Sequence, residues 1–208
     1  MRVDLICYLP SRAVREALER EGLKISDEEL LAHLSFTFAI SGISRACSHQ
    51  LVRHRLASYS QQSQRYVRLK ELVSVAVEPP TILGHGEAHP VFRGLMEAAQ
   101  GAYEELLALG VPEEDARFIL PNATPTNILV TMTGSALYHF FGLRCCNRAQ
   151  AEIRELADRM LVACRRVEPE LFRRAGPYCF QKGYCEEGPF SCGRIEEVKA
   201  KYERLGYG

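Results

Sequence analysis

Apolar and polar positions alternate in two distinct rhythms along the chain. PSRAVREALEREGLK, from Pro10, carries apolar residues at helical spacing and predicts a helix that stops at Gly22. ISDEELLAHL predicts a second helix, with Ser26 as N-cap and Glu29 three residues on in a capping-box pattern. SFTFAISGI switches to aromatic and β-branched alternation and reads as a strand. SRACSHQLVRHRLA reads as a helix capped by Ser44, ending near its basic residues because SYSQQSQ is turn- and loop-like. RYVRLKELVSVAVEPP alternates like one strand or two short ones, up to Pro79-Pro80. Residues 90–109 form a helix opened by Pro90 and closed by Gly110, and PEEDARFIL a short one with acids in its first turn. TNILVTMT reads as a strand, and GSALYHFFGLRCCN and RAQAEIRELADRMLVACRRVEP as helices. The last carries Arg148–Glu152 and Arg154–Asp158 at i,i+4 spacing, which suggests a solvated face. Strands and helices do not alternate regularly, so the expected class is α+β: a single domain over 1–208, its mixed or antiparallel sheet flanked by helices.

Composition narrows the function classes. Hydrophobic residues make up 47% of the 208 and charged residues 25%, ordinary for a globular chain with one core. Apolar runs are too short and interrupted to span a bilayer, and the N-terminus turns charged without the apolar core of a secretory signal. A cytoplasmic location without a membrane partner is expected. Eight cysteines then read as free thiols. Cys179, Cys185 and Cys192 cluster in GPYCFQKGYCEEGPFSCGR, but zinc sites usually show tighter pairs. A Gly/Pro-punctuated, cysteine-bearing tail over 179–208, with no metal, is the plainer reading.

Charge changes the picture by its distribution. Twenty-six basic residues balance 26 acidic ones, yet no Asp or Glu occurs between Glu29 and Glu71, an interval holding Arg45, Arg53, Arg55, Arg65, Arg68 and Lys70. An acid-free basic island in a neutral chain points to an anion site. Arginine's planar fork matches phosphate oxygens two at a time, and Ser58, Ser60 and Ser63 can complete a phosphate cradle. Arg53 and Arg55 would point about 200° apart on a regular helix. They serve one ligand only if the helix ends there; otherwise they serve two ligands or two subunits. A solvated arginine face is the alternative. Serine catalysis is disfavoured, since no G-x-S-x-G elbow is present and no pattern positions His54 as a base. Arg144 ends an apolar helix beside Cys145, Cys146 and Asn147, where a buried cation needs a partner and a helix-capping cation is the simpler role. His139 reads as a core residue and Arg117 as a surface one. Neither a glycine-rich dinucleotide fingerprint nor a P-loop appears.

RHRLASYSQQS, from Arg53-His54-Arg55 to Ser63, fits the R-H-R-x7-S signature of the flavin-dependent thymidylate synthases. FTFAISGISRACSHQLVRHR, RFILP and LRCCNRAQAEIRE resemble further blocks of that family in order, and the cysteine-bearing tail resembles one seen in some members. The resemblance implies an α+β fold of the thymidylate-synthase-complementing type. It implies conversion of dUMP to dTMP, with 5,10-methylenetetrahydrofolate as carbon donor and NADPH as reductant through FAD. It also implies a homotetramer with active sites shared between subunits. Carried over by position, Gln50, Arg53, Gln61, Gln62, Ser63, Gln64, Arg65, Arg117 and Arg144 would contact dUMP. Arg53, His54, Arg55, Gln61 and His139 would contact FAD, with a lesser contribution from Thr133, Gly134 and Ser135. Ser63 becomes a phosphate ligand, and Arg144 the catalytic residue that stabilises negative charge on the uracil as N3 ionises. The chain departs from the family at Glu29, where members carry Ser or Thr, at Thr133-Gly134-Ser135, where many carry Asn-Ala-Arg, and at Gln61, where many carry Glu. The competing reading is a noncatalytic nucleotide- or nucleic-acid-binding module built on the basic loop 53–65. Against nucleic acid, the island lacks interleaved stacking aromatics beyond Tyr59 and Tyr66.

Overall fold

The computed structural model describes residues 1–69 and 71–207; Lys70, part of the basic island, and Gly208, the end of the tail, lie outside the described residues. Strands β1 (Arg2–Tyr8), β2 (Ser35–Ser44), β3 (Ser58–Gln61) and β4 (Pro125–Thr133) form an antiparallel sheet in the order β1-β2-β4-β3. The helices are α1 (Ser11–Arg20), α2 (Asp27–His33), α3 (Arg45–Leu51), α4 (Leu72–Val75), α5 (Pro80–Leu83), α6 (Ala88–Ala108), α7 (Glu113–Ala116), α8 (Gly134–Arg144), α9 (Ala151–Val167), α10 (Tyr178–Lys182) and α11 (Ile195–Arg204). This is the α+β architecture expected. Residue contacts gather into two compact units. The first comprises 1–2, 40–53 and 60–128, the second 3–39, 54–59 and the chain from Leu129 onward; β2 and β4 run through both. Among the described residues no helix is long and apolar enough to cross a membrane.

In the second unit the rhythms of the sequence become a core. Phe36 and Phe38 of β2 and Val130 and Met132 of β4 are buried on alternate positions, each worth about 1.5–3 kcal/mol. Helix α9 buries Ile153, Leu156, Ala157, Met160, Leu161 and Cys164 along one stripe and packs on α8. Ser26 caps α2, its hydroxyl accepting from the Glu29 N–H while the Glu29 carboxylate accepts from the Ser26 N–H at 3.0 Å. Hydrogen bonds to Ser26 hold the Glu29 carboxyl below its ordinary value. Gly134 opens α8 where α2 comes close: a Cβ there would stand 2.9 Å from the Leu31 carbonyl oxygen.

Among the described residues the most buried arginine is Arg165, 1% exposed, rather than Arg144, which is half-buried. All five guanidinium N–H groups of Arg165 reach main-chain oxygens. Nε donates to Phe172 at 3.1 Å, Nη1 to Tyr202 and Leu205 at 2.6 Å each, and Nη2 to Arg173 at 3.1 Å and Ala175 at 2.8 Å. Tyr207 covers the guanidinium at 5.0 Å. The face of α9 expected to be solvated is partly covered: Asp158 accepts from Lys201 at 2.5 Å and from the Tyr202 hydroxyl at 2.7 Å, while Arg154 donates to the Asn147 carbonyl at 2.9 Å.

In the first unit, Leu72, Met96 and Ala99 form a small core with Leu69, Phe92 and Leu120 packed against it. That core overturns the one strand or two short strands expected over 65–80. Its alternation is real, but burying Leu72 against α6 coils the segment into α4, entered through Glu71 at φ 56°. The loop expected over SYSQQSQ is likewise corrected: residues 58–61 are β3, beside β4 in the sheet. Strand β1 and helix α11 were not anticipated.

Candidate functional site

Helix α3 delivers the basic island. Ser44 caps it by accepting from the Cys47 N–H at 2.9 Å, and the N–H groups of Arg45 and Ala46 donate to the carbonyls of Thr124 and Asn122 at 2.9 and 3.1 Å. The helix ends at Leu51, so Arg53 and Arg55 leave it on exposed, irregular backbone and are not bound to opposite helix faces. Gln50 turns back on its own helix, with Nε2 3.5 Å from the Ala46 carbonyl.

The first unit gathers residues 61–65 against the start of β4. Gln61 Nε2 donates to Ser48 Oγ at 3.0 Å and to Thr126 Oγ1 at 3.2 Å, so its carbonyl oxygen is what it can offer a ligand. Gln62 is held twice by Asn127, its N–H donating to the main-chain oxygen at 2.8 Å and its Oε1 accepting from Nδ2 at 2.7 Å. Ser63 Oγ accepts from the Arg65 N–H at 3.1 Å. A cavity of about 370 Å³ opens here, lined by Gln62, Ser63, Gln64, Arg68, Thr126 and Asn127, within the size range of small-molecule sites. Thr124 also lines it, and its buried Oγ1 has no hydrogen-bond partner among the described residues. A native buried hydroxyl left this way usually waits for water or a ligand.

Two of the arginines named from sequence meet at an acid the sequence did not reveal. Arg65 pairs with the Glu114 carboxylate at 2.7 Å, and Arg117 Nε donates to the Glu114 carbonyl at 2.9 Å. Burial, and then the charge of Arg117, hold the Arg45 guanidinium below its ordinary value, which places a third cation in the same neighbourhood. Arg65 and Glu114 lie 49 positions apart, and no spacing signal links them. Thr126 and Asn127 were visible only as members of a strand.

The second unit holds a different group. His54 is 6% exposed, its ring 5.4 Å from that of His139 and 5.5 Å from that of Phe140. Its Nε2 is buried without a hydrogen-bond partner among the described residues. Burial, then the His139 ring, push the His54 imidazole below its ordinary value, and the Arg144 charge adds to this. Tyr59 donates to the His54 carbonyl at 2.7 Å; burial pushes its hydroxyl up to about 12, opposed by Arg144. Arg144, at the last turn of α8, is therefore electrostatically coupled to both. His139 is exposed, not the core residue its sequence position suggested, and its Nδ1 meets the Tyr178 hydroxyl. Thr133 Oγ1 caps α8 by accepting from the Ala136 N–H at 3.2 Å, Gly134 is buried, and Ser135 is exposed.

Comparison with known proteins adds an independent line. The model of the family described as thymidylate synthase complementing protein matches residues 7–170. A flavin-dependent thymidylate synthase of Geobacter sulfurreducens is 51% identical over 183 residues, covering 88% of this chain and 78% of the relative. One from Pyrococcus furiosus is 44% identical, covering 86% and 76%. Among solved structures, a UMP/dUMP methylase, PolB, from Streptomyces cacaoi, bound with 5-Br dUMP, superposes with TM-score 0.65 at 20% identity, over 82% of this chain and 92% of that one; at that identity it speaks for the fold. Matched along four-fifths of its length by the family model and close to half identical to curated members, the chain belongs to the flavin-dependent thymidylate synthase family of enzymes.

Proposed function

We propose that the protein makes dTMP by reductive methylation of dUMP, with 5,10-methylenetetrahydrofolate as carbon donor and NADPH as reductant through FAD. The observation that carries this reading is the cavity walled by Gln62, Ser63 and Gln64, with the partnerless Thr124 hydroxyl in its lining and arginines close by. It has the hydrogen-bonding character of a nucleotide monophosphate site. Gln50, Arg53, Gln61, Gln62, Ser63, Gln64, Arg65 and Arg117 bind the nucleotide, and Arg65 exchanges the Glu114 carboxylate for phosphate as it does so.

The second unit suits a flavin. A buried imidazole nitrogen without a partner, an exposed imidazole beside it, and the N-terminus of the eleven-residue α8 offer a ring edge and an anion what they need. His54, Arg55, His139 and the Thr133-Gly134-Ser135 turn, with Arg53 and Gln61, would hold FAD. When bound, that group supplies the hydride chemistry. The protein's part is orientation and field. Arg144 stabilises the negative charge that develops on the pyrimidine when N3 ionises. No thiolate attack is needed, and the adjacent Cys145 is unsuited to one, since burial pushes its thiol far up. Assembly as a homotetramer is part of the proposal, supported by the apolar side chains that Val91, Leu95 and Phe118 leave exposed at 74, 60 and 81%.

The deciding experiment measures dTMP formation with dUMP, methylenetetrahydrofolate, NADPH and FAD, omitting each in turn. Product should vanish with any omission after flavin removal. Turnover indifferent to FAD, or salt-dependent polynucleotide binding without turnover, would overturn the reading.

A further inference from the structure

The chain beyond α9 holds none of the residues assigned above to nucleotide or flavin, yet its short helix α10 is fastened to α8 beside one of them. On α8, Gly142 leaves room for the Tyr178 ring: an added Cβ would stand 2.5 Å from that ring. The bare spot lets α10 close on α8. Gln181 Nε2 donates to the Tyr138 carbonyl at 3.0 Å and to the Gly176 carbonyl at 2.6 Å, so the main chain next to His139 is held as well. Phe180 meets the Tyr202 ring of α11 at 5.9 Å between centroids. Gly183, at φ 84°, ends α10 in the left-handed conformation. A helix of five residues would not persist alone; these contacts decide where Tyr178 stands.

The Tyr178 hydroxyl meets Nδ1 of His139, the two rings 6.1 Å apart between centroids. His139 and Gly142 are three positions apart on α8 and are neighbours on its surface, so one tyrosine can rest on the glycine and reach the histidine. The Lys182 ammonium sits 4.6 Å over the Tyr178 ring and is itself paired with Glu186 at 2.7 Å. Burial pushes the Tyr178 hydroxyl up, opposed by the Lys182 charge, so the hydroxyl keeps its proton at neutral pH. A neutral imidazole has one donor nitrogen and one acceptor nitrogen. The phenol O–H is the better donor of the two groups and the imidazole nitrogen the better acceptor, so Tyr178 donates and Nδ1 accepts. The His139 proton then resides on Nε2, which becomes a fixed donor. It stands beside the His54 ring, whose buried Nε2 is partnerless among the described residues.

We propose that Tyr178 is a positioning residue for flavin binding: its hydroxyl holds the His139 ring in one orientation and one tautomer, so that Nε2–H is set to donate to an acceptor atom of FAD. The inference rests on the placing of FAD in the second unit. An exposed imidazole left to itself turns about its side-chain bonds and exchanges tautomers, and a ligand must stop both. Fixing the ring beforehand removes that cost from binding. Tyr178 acts through His139, and no proton is transferred.

The test compares the full-length protein with Tyr178→Phe, which keeps the ring against Gly142 and loses only the hydroxyl. Flavin-free protein carrying isotopically labelled histidine is first studied by NMR at alkaline pH, where the imidazoles are neutral. The parent's His139 should show a protonated Nε2 and a hydrogen-bonded Nδ1. Tyr178→Phe should shift the Nδ1 resonance and leave His33 unmoved. A fluorescence titration with FAD should then give about three- to tenfold weaker binding for the variant, with Tm and dUMP binding near the parent's. In a His139→Ala background, Tyr178→Phe should cost nothing further; a tyrosine serving only the fold would cost the same in both backgrounds. Identical Nδ1 resonances in parent and variant, unchanged FAD affinity, or an equal loss in both backgrounds overturns the proposal. Parent protein that binds no FAD at all overturns the flavin role, while the histidine spectra separately decide the Tyr178–His139 contact.

Discussion

Arginine plays opposite parts in the two units. Arg165 in the second has every N–H matched to a main-chain oxygen and is sealed by Tyr207. Arg65 and Arg117 in the first share one glutamate, and Arg65 is half exposed. A guanidinium whose donors are all matched holds structure together and cannot respond to a ligand. One held by a single exposed carboxylate can exchange it, because such pairs are worth only about 0–1 kcal/mol. Arg144 lies between these extremes: half-buried in the second unit, yet acting on His54 and Tyr59 through its field. The comparison separates cations that build from cations that bind.

The largest expected effect tests Arg144. Arg144→Ala should lower kcat for dTMP formation by about two to three orders of magnitude, the usual cost of removing a charge-stabilising donor. Flavin binding and Tm should stay near the parent's. Near-parental turnover would move Arg144 to the building group. Next comes Arg165→Met, which takes a donor from five main-chain carbonyls, those of Tyr202 and Ala175 belonging to buried residues, while the Phe172 oxygen keeps the Ala175 N–H. Loss of about 3 kcal/mol or more is expected in denaturant unfolding, with kcat per folded enzyme unchanged. A cost below about 1 kcal/mol would mean that water replaces the guanidinium easily.

How far the sequence revealed this division follows from the range of the interactions. Local ones were legible. The Ser26 box, the Ser44 cap, β2, β4 and α8 all follow from residues within a few positions of each other. Strand β3 was hidden because SYSQ lacks the apolar alternation that announces a strand; its place beside β4 decides it. Helix α4 was misread because alternation cannot announce that Leu72 will be buried against α6. The same holds for side chains. The family resemblance marked Gln61–Arg65, but Glu114, Thr124 and Asn127 join them only through the fold. Arg165 carried no signal, because its partners are carbonyls, which every residue has.

A smaller effect sharpens the comparison inside the first unit. Thr124→Val removes a buried hydroxyl without a partner and keeps its shape. The ligand-free protein should gain about 1 kcal/mol, while dUMP binding weakens several-fold in a titration. A variant both less stable and equally tight would show that the hydroxyl serves the fold and faces no ligand.

The smallest effect concerns acid. Burial and the His139 ring lower the His54 imidazole in the folded chain from the ordinary 6.5. Between its folded and unfolded values the unfolded chain binds the extra proton. Stability therefore falls as pH drops through about 6.5, and levels off below the folded value, where both states are protonated. His54→Asn should flatten that part of the Tm–pH curve while leaving the curve above pH 7 parallel to the parent's. His139 is exposed and its replacement by Asn should leave most of the acid slope in place. Should His139→Asn remove the slope as fully as His54→Asn does, repulsion between the two rings, more than burial, sets it, and the second unit carries a binding group less firmly built than its core suggests.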